Sequence, residues 1–371
     1  MTVQIPLVDL GAQWAEIADE VHAGWDTVLA NTAYIGGAAV AEFEAAYACY
    51  LGVAHCVGVG NGTDAIELAL RAAEVGPGDE VVLPANTFIA TAEAVVRAGA
   101  TPVLVDVDPE QLLIDPVRVA EAITPRTRAI VPVHLFGQTA PVERLLPLAQ
   151  ECGAVIVEDA AQSQGATRFG RRAGSLGTIA ATSFYPGKNL GAAGDAGAVL
   201  TGDPELARRV RLLSAHGSEQ KYVHETLGFN SRMDALQAVV LAAKLRRLDG
   251  WNDARRAAAD RYAALLGEAS NIVLPRSAVG NGDVWHLYVV RVAHRDRVLA
   301  RLGDLGVGAG IHYPAPLHLT KPFAGLGGGT GTFPVAEAAA EQILSLPLYP
   351  HLTATLQRHV VDALVTALRD G

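Results

Sequence analysis

Thr182-Ser183-Phe184-Tyr185-Pro186-Gly187-Lys188-Asn189-Leu190-Gly191 is the stretch on which the reading of this chain turns. A β-prone, hydroxyl-bearing run from Ala180 to Tyr185 meets a Pro-Gly break, presents one lysine, and continues glycine-rich to Gly197. Strand composition followed by Pro-Gly predicts an element that stops abruptly. A lysine just past such a stop is placed to enter a cleft at the sheet end. The chain has four lysines, Lys188, Lys221, Lys244 and Lys321, against 25 arginines. Arginine stays protonated, whereas a desolvated lysine sheds its proton and forms Schiff bases. A solvated loop lysine is the competing reading, and for an isolated lysine it is the commoner one.

Upstream, Gly153-Ala154-Val155-Ile156-Val157-Glu158-Asp159-Ala160-Ala161-Gln162-Ser163 reads as a buried strand bringing carboxylates to its C-terminal end. Open α/β sheets bind their ligands at that end. Asp159 is placed there to hold a pyridinium nitrogen protonated, while Glu158 faces the other side, because neighbouring strand residues alternate. Alone, a carboxylate at a strand end is more often a metal ligand or a helix cap.

Three blocks stand in order: Asp159-Ala160-Ala161-Gln162, then Ser183 to Gly191 as quoted, then Gly194-Asp195-Ala196-Gly197-Ala198. Together they resemble the DegT/DnrJ/StrS family, pyridoxal-phosphate (PLP) aminotransferases acting on nucleotide-linked keto-sugars. The resemblance runs from Ile5-Pro6-Leu7-Val8-Asp9-Leu10 to the C-terminal segment. It implies that Lys188 carries pyridoxal 5'-phosphate and then moves the proton between two carbons. It implies that Asp159 pairs with the ring nitrogen, Gln162 with the ring hydroxyl and Ser183 with the phosphate. Phe88 takes the position of the aromatic ring that stacks on the cofactor; an ordinary core phenylalanine is the alternative. Asn230, in Asn230-Ser231-Arg232, takes that of an asparagine reaching the phosphate of the neighbouring subunit, which implies a homodimer with shared active sites. A helix-capping asparagine is the competing role. Tyr34 in the N-terminal arm is a sugar-contact candidate beside the reading that it packs a turn. Tyr222, His224, His312 and Tyr313 complete the substrate candidates.

Composition fits this reading. With 371 residues, 50% of them hydrophobic and 18% charged, the chain can bury a large core in one or two domains. A net charge of −10 argues against nucleic-acid partners, since no basic stripe offsets phosphate repulsion. It does not argue against an anionic small ligand, whose pocket has its own local field. No Lys or Arg precedes Arg71, so a basic leader is not expected, and no apolar run is long enough for a membrane span. Cys49, Cys56 and Cys152 lack metal-ligand spacing and are odd in number, as expected of reduced thiols in the cytoplasm. No metal site is expected.

In chain order, Gly11 to Asn31 has helical periodicity, with Trp14, Ile17, Val21, Trp25 and Val28 on one face. Strand His55 to Val59 leads through Gly60-Asn61-Gly62-Thr63-Asp64 into a helix from Ala65. Glycines admit close backbone approach, and a helix N-terminus offers free N–H groups to a phosphate. By itself such a turn is a weak signal for phosphate; beside Asp159 and Lys188, Gly62 and Thr63 become the expected phosphate cradle of the cofactor, with Asp64 facing away. Strands and helices then alternate to Glu158, which predicts βαβ units and a mainly parallel sheet. His134 follows a strand, a position from which it can border the pocket, and has no assigned role. Ala235 to Leu266 reads as one long helix linking two domains.

The expected fold class is thus α/β, a fold-type-I PLP aminotransferase. A large PLP-binding domain over residues 1–250 has its mainly parallel mixed sheet sandwiched by helices, and a smaller C-terminal α+β domain covers 251–371. The expected reaction is transamination of a dTDP-linked keto-deoxy-sugar at C3, with glutamate as amino donor. Amination at C4 of a dTDP- or UDP-keto-sugar is the alternative. A sugar dehydratase of the same family would carry histidine in place of Lys188, and a sensor would bind PLP without turnover. A Rossmann dehydrogenase lacks its Gly-x-Gly-x-x-Gly fingerprint here.

Overall fold

The computed structural model describes residues 4–267, 269–326 and 328–369. Among them, seven strands form the central sheet: β1 (His55–Val59), β2 (Glu80–Pro84), β3 (Thr101–Val105), β4 (Thr127–Ile130), β5 (Val155–Asp159), β6 (Ile179–Ser183) and β7 (Gly197–Thr201). Their order across the sheet is β1-β7-β6-β5-β4-β2-β3. All neighbouring pairs are parallel except those of β7, which runs against β1 and β6. The expected α/β class with a mainly parallel mixed sheet is observed.

Period-two alternation buries both faces. Val57, Val59, Val157, Ile179 and Val199 face one helix layer. Cys56, Ala180, Ala198 and Leu200 face another, built with helices Gly37–Leu51 and Ala235–Leu245. Register then sets the functional end. Val59 and Ser183 both pair with Gly197, and Asp159 pairs with Ala181, so the C-terminal ends of β1, β5 and β6 meet the start of β7.

The C-terminal part carries a smaller antiparallel sheet, β8 (Ile272–Val273), β9 (Tyr288–Val292) and β10 (Ile343–Leu346), with β9 central. Tyr288, Val290, Val292, Leu344 and Leu346 build a second core with the helix Leu248–Leu266 and with Ile5. Leu287, Val289 and Ile343 face the first core instead. The expected boundary at 250/251 falls inside the helix Leu248–Leu266.

Two expected helices are each divided. The N-terminal arm forms Leu10–Ala15 and Ala18–Ala30, the first capped by the Asp9 carboxylate on the Ala12 N–H. The run from Ala235 breaks at Arg246-Arg247 into Ala235–Leu245 and Leu248–Leu266. There the Arg247 guanidinium donates to the carbonyls of Ala243 and Glu16, and to Glu20. This tertiary contact has no Pro or Gly signal in the sequence.

Candidate active site

A cavity of about 700 Å³ opens where β1, β5 and β6 end. Its charged floor consists of Asp159, the last residue of β5, and Lys188, in the turn after β6. The turn is held by backbone bonds: Lys188 N–H to Tyr185 (2.8 Å), Phe184 N–H to Ala196 (2.8 Å) and Ala192 N–H to Phe184 (2.7 Å). Burial pushes the Lys188 amine down to about 8, against the upward pull of the Asp159 carboxylate. A lysine so lowered is neutral near neutral pH far more often than an ordinary one. Burial likewise raises the Asp159 carboxyl, opposed by Thr91, the Ala161 N–H and Lys188.

Asp159 is fixed from behind. Thr91 Oγ1 donates to its Oδ2 (2.8 Å), and the Ala161 N–H to its Oδ1 (3.2 Å). Because Thr91 spends its one proton on the carboxylate, Thr87 Oγ1 donates to Thr91 (2.8 Å). The sequence reading missed both threonines. Their spacing of one helical turn after a strand was the available signal.

Glu158 turns to the opposite side, as alternation requires. It accepts from the N–H groups of Gly174 (2.8 Å), Leu176 (2.7 Å) and Gly177 (2.7 Å) and from His134 Nε2 (2.7 Å). The Ala140 N–H donates to His134 Nδ1, so Nε2 carries the proton given to Glu158. His134 is fully buried in this pair and does not border the cavity. Its role is to anchor the strand that carries Asp159.

On the same cavity, Gly62 and Thr63 open the helix Gly62–Ala72, three residues earlier than expected, behind the cap that Asn61 Oδ1 makes with the Asp64 N–H (2.8 Å). A Cβ at Gly62 would stand 2.5 Å from Ser183 Cβ, and one at Gly197 would stand 2.4 Å from the Asn61 carbonyl oxygen. Both positions are therefore restricted to glycine, which lets the helix start pack directly against β6 and β7, with Gly62, Thr63 and Ser183 on the cavity wall. Asp64 faces away, accepting from Arg97 (2.9 Å) and Ser231 (2.8 Å).

Gln162 accepts the Phe136 N–H on Oε1 (2.7 Å) and donates from Nε2 to Tyr313 Oη (3.0 Å). Phe88 is half exposed on the cavity wall, its ring 5.3 Å from that of Tyr313. His312 lines the same wall with Nδ1 against Ser345 Oγ (2.8 Å), and burial, then Lys188, lowers its imidazole. His286, unmarked by the sequence reading, also lines the cavity. Of the predicted residues, the fold thus gathers Asp159, Lys188, Gly62, Thr63, Phe88, Gln162, Ser183, His312 and Tyr313.

Asn230, Tyr34, Tyr222 and His224 do not line this cavity. Asn230 is exposed and accepts from Arg232 (2.7 Å); the next helix begins only at Ala235, so it caps nothing there. Tyr34 is exposed and accepts the Ala235 N–H on its carbonyl. Tyr222 is 81% exposed, and His224 Nδ1 bonds the His216 carbonyl (2.8 Å). Among the described residues, no cluster of His, Cys, Asp and Glu forms a metal site, and no helix is long and apolar enough to cross a membrane.

Known proteins resemble this chain in sequence and fold. The DegT/DnrJ/EryC1/StrS aminotransferase family is matched over residues 15–365. The chain belongs to this family. The erythromycin biosynthesis sensory transduction protein EryC1 of Saccharopolyspora erythraea is 48% identical over 98% of this chain and 99% of its own. The dTDP-3-amino-3,4,6-trideoxy-alpha-D-glucose transaminase of Streptomyces venezuelae is 47% identical over 98% of this chain and 96% of its own. The X-ray structure of S. venezuelae DesV in complex with a ketimine intermediate superposes with a TM-score of 0.97, at 47% identity, over 99% of each chain. The expected family and fold are borne out.

The electrostatics of the floor predict a pH signature. In cofactor-free protein, acylation of Lys188 by an amine-reactive reagent, followed by peptide mass spectrometry, should rise with a midpoint at about pH 8. Asp159→Asn removes the anion that favours the ammonium, so the midpoint should move lower. A midpoint at the ordinary lysine value, or a shift upward in the variant, would contradict the assigned pair.

Proposed function

We propose that the protein transfers the amino group of glutamate to C3 of a dTDP-linked keto-deoxy-sugar in deoxysugar or antibiotic biosynthesis, using pyridoxal 5'-phosphate. One observation carries this reading: a lysine desolvated to about 8 shares a cavity floor with a buried carboxylate, below a glycine-lined helix N-terminus. The donor set fits the cofactor. Backbone N–H groups at Gly62 and Thr63 and the Ser183 hydroxyl suit a phosphate. Asp159 suits a protonated ring nitrogen, Gln162 has a further Nε2 proton for a ring hydroxyl, and Phe88 offers an aromatic face.

When bound, this cofactor supplies a carbonyl that condenses with amines and a ring that accepts electrons as a C–H proton leaves. The chain's part is positional and protonic. Lys188 Nζ, with a substantial neutral fraction near pH 8, takes a proton from carbon and returns it elsewhere. Asp159, oriented by Thr91, holds positive charge at the ring nitrogen. A sensor without turnover is the reading suggested by the name of the EryC1 relative; measured transamination would exclude it. The names of the DesV-type relatives favour C3. Incubation with glutamate, the cofactor and a panel of dTDP- and UDP-keto-sugars should yield an amine at C3 of a dTDP sugar, located by NMR. Amination at C4 alone, or of UDP sugars alone, would overturn the assignment.

We further propose a cytoplasmic homodimer in which Asn230, with Tyr34, Tyr222 and His224, completes the partner's cavity. Their exposure outside the chain's own cavity supports this, as does the apolar character of exposed Tyr34, Ile35, Tyr222 and Leu227. Mixing inactive Lys188→Ala protein with an inactive Asn230 variant should restore activity after subunit exchange, because one site of each heterodimer escapes both lesions. Proven heterodimers without rescue would refute shared sites.

A further inference from the structure

The residue after Lys188 belongs to a buried chain of amides whose orientation is fixed from both ends. Asn252 Nδ2 donates to the Gln164 carbonyl (2.9 Å), which turns its Oδ1 toward Asn189. Asn189 Nδ2 donates to that Oδ1 (2.9 Å) and to the Val284 carbonyl (3.0 Å). A backbone carbonyl only accepts, so neither amide can be flipped. Both are almost fully buried, leaving no water to substitute for a lost bond. The Asn189 Oδ1 atom therefore faces His286 Nδ1 at 3.2 Å and must receive a proton from it.

Burial keeps the imidazole well below its usual range, and Lys188, Arg255 and His312 each add repulsion against a second proton. With Nδ1 protonated and the ring neutral, Nε2 holds a lone pair. No described residue bonds to it, while His286 itself lines the cavity that contains Lys188 and Asp159. Elsewhere on that wall, Gln162 and Tyr313 bring protons, so an acceptor of fixed polarity stands out.

We infer that His286 presents an unprotonated Nε2 to the cavity as a hydrogen-bond acceptor for a ligand O–H or N–H group, and that Asn189 fixes this tautomer. His286 is then a specificity-determining residue, and Asn189 a positioning residue that ties it to the lysine turn. The shared chemistry is a donor proton on the ligand, from a sugar hydroxyl or from the ammonium of the amino acid. The choice of ligand rests on the proposed function; the tautomer does not.

Two measurements separate these parts. In protein with ¹⁵N-labelled imidazoles at about pH 7.5, the His286 signals, identified by their loss in His286→Asn, should be pyrrole-type at Nδ1 and pyridine-type at Nε2. The reverse tautomer, or an imidazolium, would overturn the inference. In kinetics, asparagine keeps a donor toward Asn189 but lacks the Nε2 acceptor. His286→Asn should raise KM about tenfold for one ligand, a loss typical of one hydrogen bond, with kcat changed less than about threefold. The half-reactions with glutamate and with keto-sugar identify which ligand donates. His286→Gln, whose Oε1 reaches toward the Nε2 position, should recover part of that loss. Unchanged KM for both ligands in His286→Asn would refute the acceptor role. A wild type inactive toward every ligand would refute the proposed function, while the NMR result would still decide the tautomer.

Discussion

Everything at this site depends on holding an amine and a carboxylate together away from bulk water. Desolvation drives both toward neutrality, lowering Lys188 and raising Asp159, while their mutual attraction opposes each shift. Neither effect prevails fully. The lysine keeps a neutral fraction large enough to act as a base, and the carboxylate keeps an attraction for a cation. Such a pair is useful only if the fold holds both members in place.

The rest of the molecule supplies that hold. Asp159 ends β5, and its neighbour Glu158 is locked by three N–H groups and His134 on the opposite face. Burial by itself would raise Glu158, but His134 and the N–H groups of Gly177 and Gly174 keep its carboxyl below the usual range. The anchoring charge is thus present above the ordinary carboxylate range and is lost only as pH falls through a lowered value. Thr91 then aims Asp159, and the amide chain through Asn189 and Asn252 ties the lysine turn to the segment bearing Val284 and His286. The C-terminal part therefore contributes directly to the cavity, through His286, His312 and Tyr313.

Much of this was legible in the sequence. The break after Tyr185 located Lys188, strand alternation separated Asp159 from Glu158, and the glycines around Thr63 marked a helix N-terminus. These signals are local: they depend on backbone conformation or on the two-residue period of a strand. What escaped the reading depends on distant partners. His134 follows a strand like a pocket residue, yet Glu158 and the Ala140 N–H enclose it. Arg247 stands where a helix divides and reaches the Glu16 carbonyl and the Glu20 carboxylate of the N-terminal arm. His286 lies in an unremarkable strand approach and gains its role only from Asn189. Asn230 and Tyr34 were marked by family resemblance, and they lie, with Tyr222 and His224, outside the chain's own cavity.

Lys188 is the lysine assigned the covalent attachment of the cofactor, and borohydride trapping tests that assignment. Holoenzyme reduced with borohydride, digested and mapped by mass spectrometry should carry the cofactor-derived mass on Lys188 alone. Lys244 is the stringent internal control, because burial also lowers its amine to about 8. Label on Lys244, Lys221 or Lys321 in place of Lys188 would refute the assignment.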